Sequence, residues 1–236
     1  MSAPIRLDKR VVALFQCSRA EAQQYIEGGC VTVDGVVVDT PQTMVGAETV
    51  VLDADAEAKG LESATLLFNK PAGMSAAEAL AQITEATRAE SDASGIRLLQ
   101  RHFHRLQALM PLEAAASGLV VFSQDWRIRR CLEEEQALLE QEFNVEISGE
   151  LKPYGMLRLA HGLRHEGREL PPCKVSWQNE DRLRFAIKNV RPGQLRYMCR
   201  EVGLDVVAIR RLRIGRVGLS KMPEGQWRYL AAGQRF

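Results

Sequence analysis

Two periods of apolar and polar positions run along this chain, and the switches between them mark out its elements. Ile5, Leu7, Val11, Val12, Leu14 and Phe15 recur at helical spacing. Ser18 with Glu21 three residues on is a capping-box pattern ahead of AEAQQYIE, and the Gly28-Gly29 pair ends that second helix. VTVDGVVVD follows, with Asp34-Gly35 as a two-residue hairpin turn between β-branched runs, and ETVVLD predicts a further strand. The stretch from Asp53 to Ser63 is short, polar and alanine-rich. It predicts one domain over 1–56, a linker over 57–64 and a second domain over 65–236.

The second domain opens on ATLLFNKPAGM, an apolar strand ending in Asn69-Lys70-Pro71 and a glycine turn. Residues 76–89 have helix-forming composition. In PLEAAASGLVVFSQD, the acid Glu113 leads three alanines, Ser117 and Gly118, and the run Leu119 to Phe122 predicts a buried strand. A carboxylate at the mouth of such a small-residue loop is positioned by a rigid element, with backbone free to approach a ligand. Beyond it the pattern predicts a helix from Trp126 to Glu140, strands Glu142 to Ile147 and Leu183 to Lys188, a helix from Gly193 to Val202, and a strand from Val206 to Ile214. Arg210 and Arg211 are neighbours in that last strand, so alternation puts only one of them on any one face.

Composition narrows the class. Hydrophobic content of 46% and charged content of 26% are ordinary for a soluble globular protein. No apolar run approaches the roughly 18 residues of a membrane span, and MSAPIRLDKR has no signal-peptide pattern, so a cytoplasmic protein without a membrane partner is expected. The five cysteines (17, 30, 131, 173 and 199) are widely spaced without a C-x-x-C and predict reduced thiols. His102 with His104, and His161 with His165, lack the further ligands that would complete a metal site, so no metal is expected. The net charge of +1 hides an asymmetry: −4 over residues 1–60, −6 over 61–150 and +11 over 151–236. A segregated basic third is what a polyanion-binding surface needs.

Several of these stretches carry a resemblance. RLDKRVVALFQCSRAEAQQYIEGGCVTVDG resembles the S4 RNA-binding module. The string NKPAG after an apolar strand, the loop around Glu113, the segment RPGQLRYMCREVG, and RRLRIG in the closing strand resemble pseudouridine synthases that carry an S4 domain and modify ribosomal RNA. That family has G-R-L-D-x-x-T-x-G-L where this chain has Met110 to Leu119, so its catalytic Asp stands as Glu113 and its Arg as Pro111. Its K-x-Y-x-V pattern stands as Gln141 to Val145, with Phe143 at the ring position. The resemblance implies an α+β fold: a small S4 domain, then a domain built on a long, mainly antiparallel sheet with helices packed on it.

It also implies roles. Glu113 would be the catalytic carboxylate, Arg211 or Arg210 its basic partner, and Phe143 the ring beneath the target base. Arg6, Lys9, Arg10 and Arg19 in the first domain, and Lys70, Arg191, Gln194 and Arg196 in the second, would contact RNA. Ribosomal RNA is the expected partner, with tRNA as the other candidate, and the protein is expected to be a monomer needing no cofactor. The chemistry breaks a uridine N-glycosidic bond, turns the uracil and re-forms the link through C5, on a nucleotide drawn out of its stack. Glu is longer than Asp by one methylene, and a misplacement of about 1 Å can cost about 10²-fold in rate. Phe143 keeps a stacking face without a hydroxyl. Two readings follow: an RNA pseudouridine synthase using Glu113, or a catalytically silent RNA-binding protein on the same scaffold. Association of the chain with ribosome or tRNA through its basic surfaces is a third.

Overall fold

Ser18 Oγ accepts the Glu21 N–H at 3.2 Å while the Glu21 carboxylate accepts the Ser18 N–H at 2.7 Å, so the expected capping box closes. In the computed structural model, which describes residues 4–56, 62–161, 163–165 and 167–236, the chain divides into two units. The first holds 1–63 with 96–105, the second 64–95 with 106–236. Residues 57–61 of the expected linker lie outside the described residues.

The first unit runs β1 (Ile5–Arg6), α1 (Leu7–Phe15), α2 (Arg19–Glu27), β2 (Val31–Val33), β3 (Val36–Val37), β4 (Met44–Val45) and β5 (Val50–Leu52). Helix α1 begins two residues later than the apolar spacing suggests because Ile5 and Arg6 pair antiparallel with Val45 and Met44. Asp34 and Gly35 both have positive φ, 49° and 81°, which is the turn geometry a two-residue hairpin requires. Leu7, Val11, Ala22, Ile26, Val31 and Val45 form its core. Residues 96–105 are tied into this unit: the Arg97 guanidinium donates to the Gly29 carbonyl, and the Gln100 N–H donates to the Asp39 carboxylate.

The second unit contains β6 (Thr65–Lys70), α3 (Ala76–Ala81), β7 (Gln107–Leu109), β8 (Ser117–Ser123), α4 (Trp126–Glu133), β9 (Glu140–Gly149) and α5 (Gly155–Ala160). It continues with the short pair β10 (Arg164–His165) and β11 (Arg168–Glu169), then β12 (Lys174–Asn179), β13 (Arg182–Lys188), α6 (Gln194–Glu201), β14 (Leu204–Ile214), β15 (Val217–Gly218) and β16 (Trp227–Tyr229). Nine of the strands make one sheet, in the order β12-β13-β9-β14-β8-β6-β16, with β15 on β14 and β7 on β8. Every pairing is antiparallel except β14 with β8, so the expected α+β class with a large, mainly antiparallel sheet holds.

Two expected helices are shorter. The one from Ala76 ends at Ala81, where Thr87 Oγ1 donates to the Gln82 carbonyl at 2.7 Å and diverts the backbone into a 3₁₀ turn. The one from Trp126 ends at Glu133, since the run Glu133–Glu135 places acids against the negative end of the helix. Strands β6 and β8 sit in the middle of the core. Leu66, Leu67, Phe68, Leu119, Val120, Val121 and Phe122 have no exposed surface, each contributing about 1.5–3 kcal/mol of apolar burial.

Candidate active site

Glu113 sits in the loop that enters β8, and both of its carboxylate oxygens are engaged. Oε1 accepts the Gly193 N–H at the start of α6, and Oε2 lies 3.5 Å from Arg196 Nε on the first turn of that helix. Gly193 has φ +76°, the left-handed conformation that turns its N–H toward the acid. A carboxylate here meets a helix N-terminus and a guanidinium together, which fixes its orientation. The loop is pinned from beneath. The buried Lys70 donates its ammonium to the carbonyls of Pro71 (2.8 Å), Met74 (2.8 Å) and Ala114 (3.1 Å), and the Gly73 N–H also reaches Ala114 O at 2.7 Å.

Glu113 shares a cleft with Leu112, Gln141, Phe143, Arg191 and Arg211, about 440 Å³ of empty volume and open to solvent. Phe143 is 3% exposed on β9 and forms part of the cleft wall and part of the core beneath α6. Arg211 is buried and directed inward from β14. It donates from Nε to Leu119 O (2.8 Å), from Nη1 to Gln141 Oε1 (3.1 Å) and from Nη2 to Met110 O (2.7 Å). None of these acceptors is charged, and burial pulls the guanidinium pKa down to about 9. Gly118 makes the close packing possible. At φ +104° an added Cβ would stand 2.2 Å from Arg211 O and 2.7 Å from Arg211 N.

The structure brings together Glu113, Phe143, Arg191, Arg196 and Arg211. It separates others from them. Of the neighbouring arginines, Arg211 faces the cleft, while Arg210 is exposed on the opposite face of the sheet. The ion pair expected between Glu113 and either of them is absent; Arg196 takes that place. Lys70 is buried, with its ammonium donors turned into the loop. Gln194 is buried, and its side-chain oxygen accepts the Arg191 N–H at 3.1 Å, closing the turn before α6. In the first unit, Arg6 and Arg19 flank the buried Asp8 at 2.8 and 3.4 Å, which leaves Lys9, exposed, and the half-buried Arg10 as the basic residues of α1 away from that acid.

The sequence did not single out the Gly193 N–H or the Ala114 carbonyl, and it named Gln141 only as standing where the family pattern has Lys. Backbone groups carry no residue signature, and the Gln141–Arg211 contact spans 70 positions. Among the described residues no cluster of three or more His, Cys, Asp or Glu side chains could hold a metal ion, and no helix is long and apolar enough to cross a membrane.

Residues 5–51 match the S4 domain family. An RNA pseudouridine synthase of Aquifex aeolicus (strain VF5) is 24% identical over 229 residues, covering 96% of this chain and 92% of that one. The dual-specificity RNA pseudouridine synthase RluF of Escherichia coli (strain K12) is 24% identical over 228 residues, covering 96% and 75%. A relative from Arabidopsis thaliana, named as the chloroplast ribosomal large subunit pseudouridine synthase SVR1, is 24% identical over 233 residues, and this chain spans about half of its length, 55%. Among solved structures, a pseudouridylate synthase superposes with a TM-score of 0.61 at 19% identity, covering 96% of each chain.

Proposed function

We propose that this chain, which belongs to the S4-domain family of RNA pseudouridine synthases, isomerises a uridine of structured RNA, ribosomal RNA first, with Glu113 as its working carboxylate. The observation that supports this most is the position of Glu113: a carboxylate with a charged partner, at the wall of a cleft whose lining also includes an aromatic ring and a buried guanidinium. Arg196 and the Gly193 N–H hold it oriented toward one end of the cleft. Phe143 offers a face for the uracil, and Arg191, exposed at the rim, is placed to take a phosphate of the flipped nucleotide. In the reaction the bond from C1′ to N1 breaks and one from C1′ to C5 forms; the C5 hydrogen leaves as a proton and N1 ends protonated, so nothing is oxidised or reduced. Arg211 anchors the walls by joining β8, β9 and the 110–113 loop.

A catalytically silent, RNA-binding protein is the second reading, and one observation favours it: the Glu113 carboxylate is held at α6 while Arg211 has no acidic partner among the described residues. Mapping pseudouridine in total rRNA and tRNA of cells lacking the gene separates the two. A site lost on deletion, and regained with the wild-type chain but not with Glu113→Ala, establishes the enzyme. If no site changes while the purified protein still binds RNA with steep salt dependence, the silent reading takes its place.

A further inference from the structure

On the far face of the sheet, opposite the cleft, Lys174, Arg182, Arg184, Lys188 and Arg210 are exposed, and the charges are ordered. Pairing sets Lys174 beside Ala186, Arg184 beside Asn144, Arg182 beside Glu146, and Lys188 beside Glu140, while Arg210 adjoins Asn144 from the other side. A bulge between Arg211 and Arg213 resets the alternation of β14, so Arg213 joins Arg210 on this face while Arg211 stays on the other. Six basic side chains thus stand against four acids, Glu140, Glu142, Glu146 and, through its pairing with Ser148, Asp205.

Three of the acids are already matched. Arg213 reaches Glu140 at 2.7 Å and Glu142 at 3.1 Å, Arg184 reaches Glu142 at 2.8 Å, and Arg182 reaches Glu146 at 3.2 Å. Lys188 and Arg210 have no ion pair among the described residues, and Lys174 stands at the 4.0 Å limit from Glu140 with 87% of its side chain exposed. Between Arg184 and Arg210, the Asn144 side-chain oxygen is buried without a hydrogen-bond partner. A sheet face on which three of the four acids are matched and three cations are left over is electrostatically complementary to a polyanion, and the Asn144 oxygen, an acceptor, suits a ribose hydroxyl donor and not a phosphate.

We propose that this face is a second RNA-docking surface, with Lys174, Lys188 and Arg210 contacting phosphates of RNA outside the nucleotide held in the cleft. The inference rests on the RNA-directed function proposed above. Its occupant is an RNA backbone, since the surplus charge is positive, while Val175 and Phe185, on the same strands, point to the other side.

The test is the salt dependence of binding to a fluorescein-labelled stem–loop RNA with uridines in its loop, followed by fluorescence anisotropy across a KCl series. Wild type is compared with Lys174→Gln/Lys188→Gln/Arg210→Gln and, separately, with Arg191→Gln at the cleft rim. If the face docks RNA, the triple variant binds more weakly, and its slope of log affinity against log salt is shallower by about 2–3. Arg210→Glu alone should weaken binding in the same direction. An unchanged slope in the triple variant, with a shallower one in Arg191→Gln, overturns the proposal and leaves the cleft function standing. Absence of RNA binding by the wild type would overturn both. An unchanged slope together with loss of self-association in sedimentation equilibrium would assign the face to a second copy of the chain and also overturn it.

Discussion

Arg196 Nε stands 3.5 Å from Glu113 Oε2, and the Arg211 guanidinium hydrogen-bonds to Leu119, Met110 and Gln141 instead of to that acid. The longer side chain of glutamate suits this arrangement, because it spans from the β8 loop to the start of α6. Shortening it should therefore hurt. Glu113→Asp is expected to lower the rate of pseudouridine formation about 10²-fold by withdrawing the carboxylate from Gly193 and Arg196. Arg196→Ala should cost roughly 10-fold with less than about 1 kcal/mol of stability, since the pair is partly exposed, and Arg196→Lys should recover part of the rate. A faster Glu113→Asp enzyme in single-turnover assays would mean that the acid works from Arg211.

Gly118 tests the packing behind the site. An alanine there would meet Arg211 backbone atoms at 2.2 and 2.7 Å, and neither β8 nor β14 can yield in the middle of a sheet. Gly118→Ala should lose roughly 3 kcal/mol or more, read as a lower urea midpoint or as insoluble expression. Gly73→Ala is the control. Its φ is also positive, 83°, but nothing lies within 4 Å of an added Cβ, so only the backbone cost of about 1–2 kcal/mol applies. Equal losses at the two positions would mean that conformation, not contact, sets the requirement at Gly118.

Lys70 separates a structural lysine from a phosphate contact. Its ammonium satisfies three carbonyls at the base of the Glu113 loop, and burial lowers its pKa. Lys70→Met keeps the volume and removes the ammonium from the Pro71 and Met74 carbonyls, while the Ala114 carbonyl keeps the Gly73 N–H, a loss of roughly 2–4 kcal/mol. The salt slope of RNA binding should stay as in the wild type, because no phosphate contact is removed. A slope shallower by about 1, with unchanged stability, would return Lys70 to the RNA-binding set.

These residues also show how far the sequence could be read. The Ser18–Glu21 box, the Asp34-Gly35 turn and the strand through Leu119–Phe122 were legible because their determinants lie within a few positions. Period-two alternation likewise confined either Arg210 or Arg211 to the cleft. It could not say which, because the choice depends on the register of β14 with β9 and on a bulge. The Glu113–Arg196 pair was out of reach for a different reason. It joins a loop and a helix 83 positions apart, and either residue alone suits a solvated surface. The burial of Lys70 was out of reach because lysine is rarely buried, and only the fold reveals three carbonyls converging on one ammonium.

His102 gives the first unit a pH response. It is 4% exposed, and burial, helped by the neighbouring Arg101 charge and opposed by Asp39, takes its pKa down to about 4 from 6.5. Above pH 6.5 the ring is neutral in the folded and unfolded chain alike, and it adds nothing to the pH dependence. Between 6.5 and about 4 the unfolded chain binds a proton that the folded chain refuses, so stability falls as the pH falls. The loss should approach about 3 kcal/mol near the lower end. Asp8 does not confuse this window. Its pKa lies below 3.8 because the Arg6 and Lys9 hydrogen bonds outweigh its burial, so it acts only at lower pH. Urea midpoints taken from about pH 7.5 to about 4.5 should decline in the wild type and stay nearly level in His102→Phe, once the carboxylate titrations common to both are subtracted. Parallel curves for the two proteins would show that His102 is protonated as readily in the folded chain as in the unfolded one.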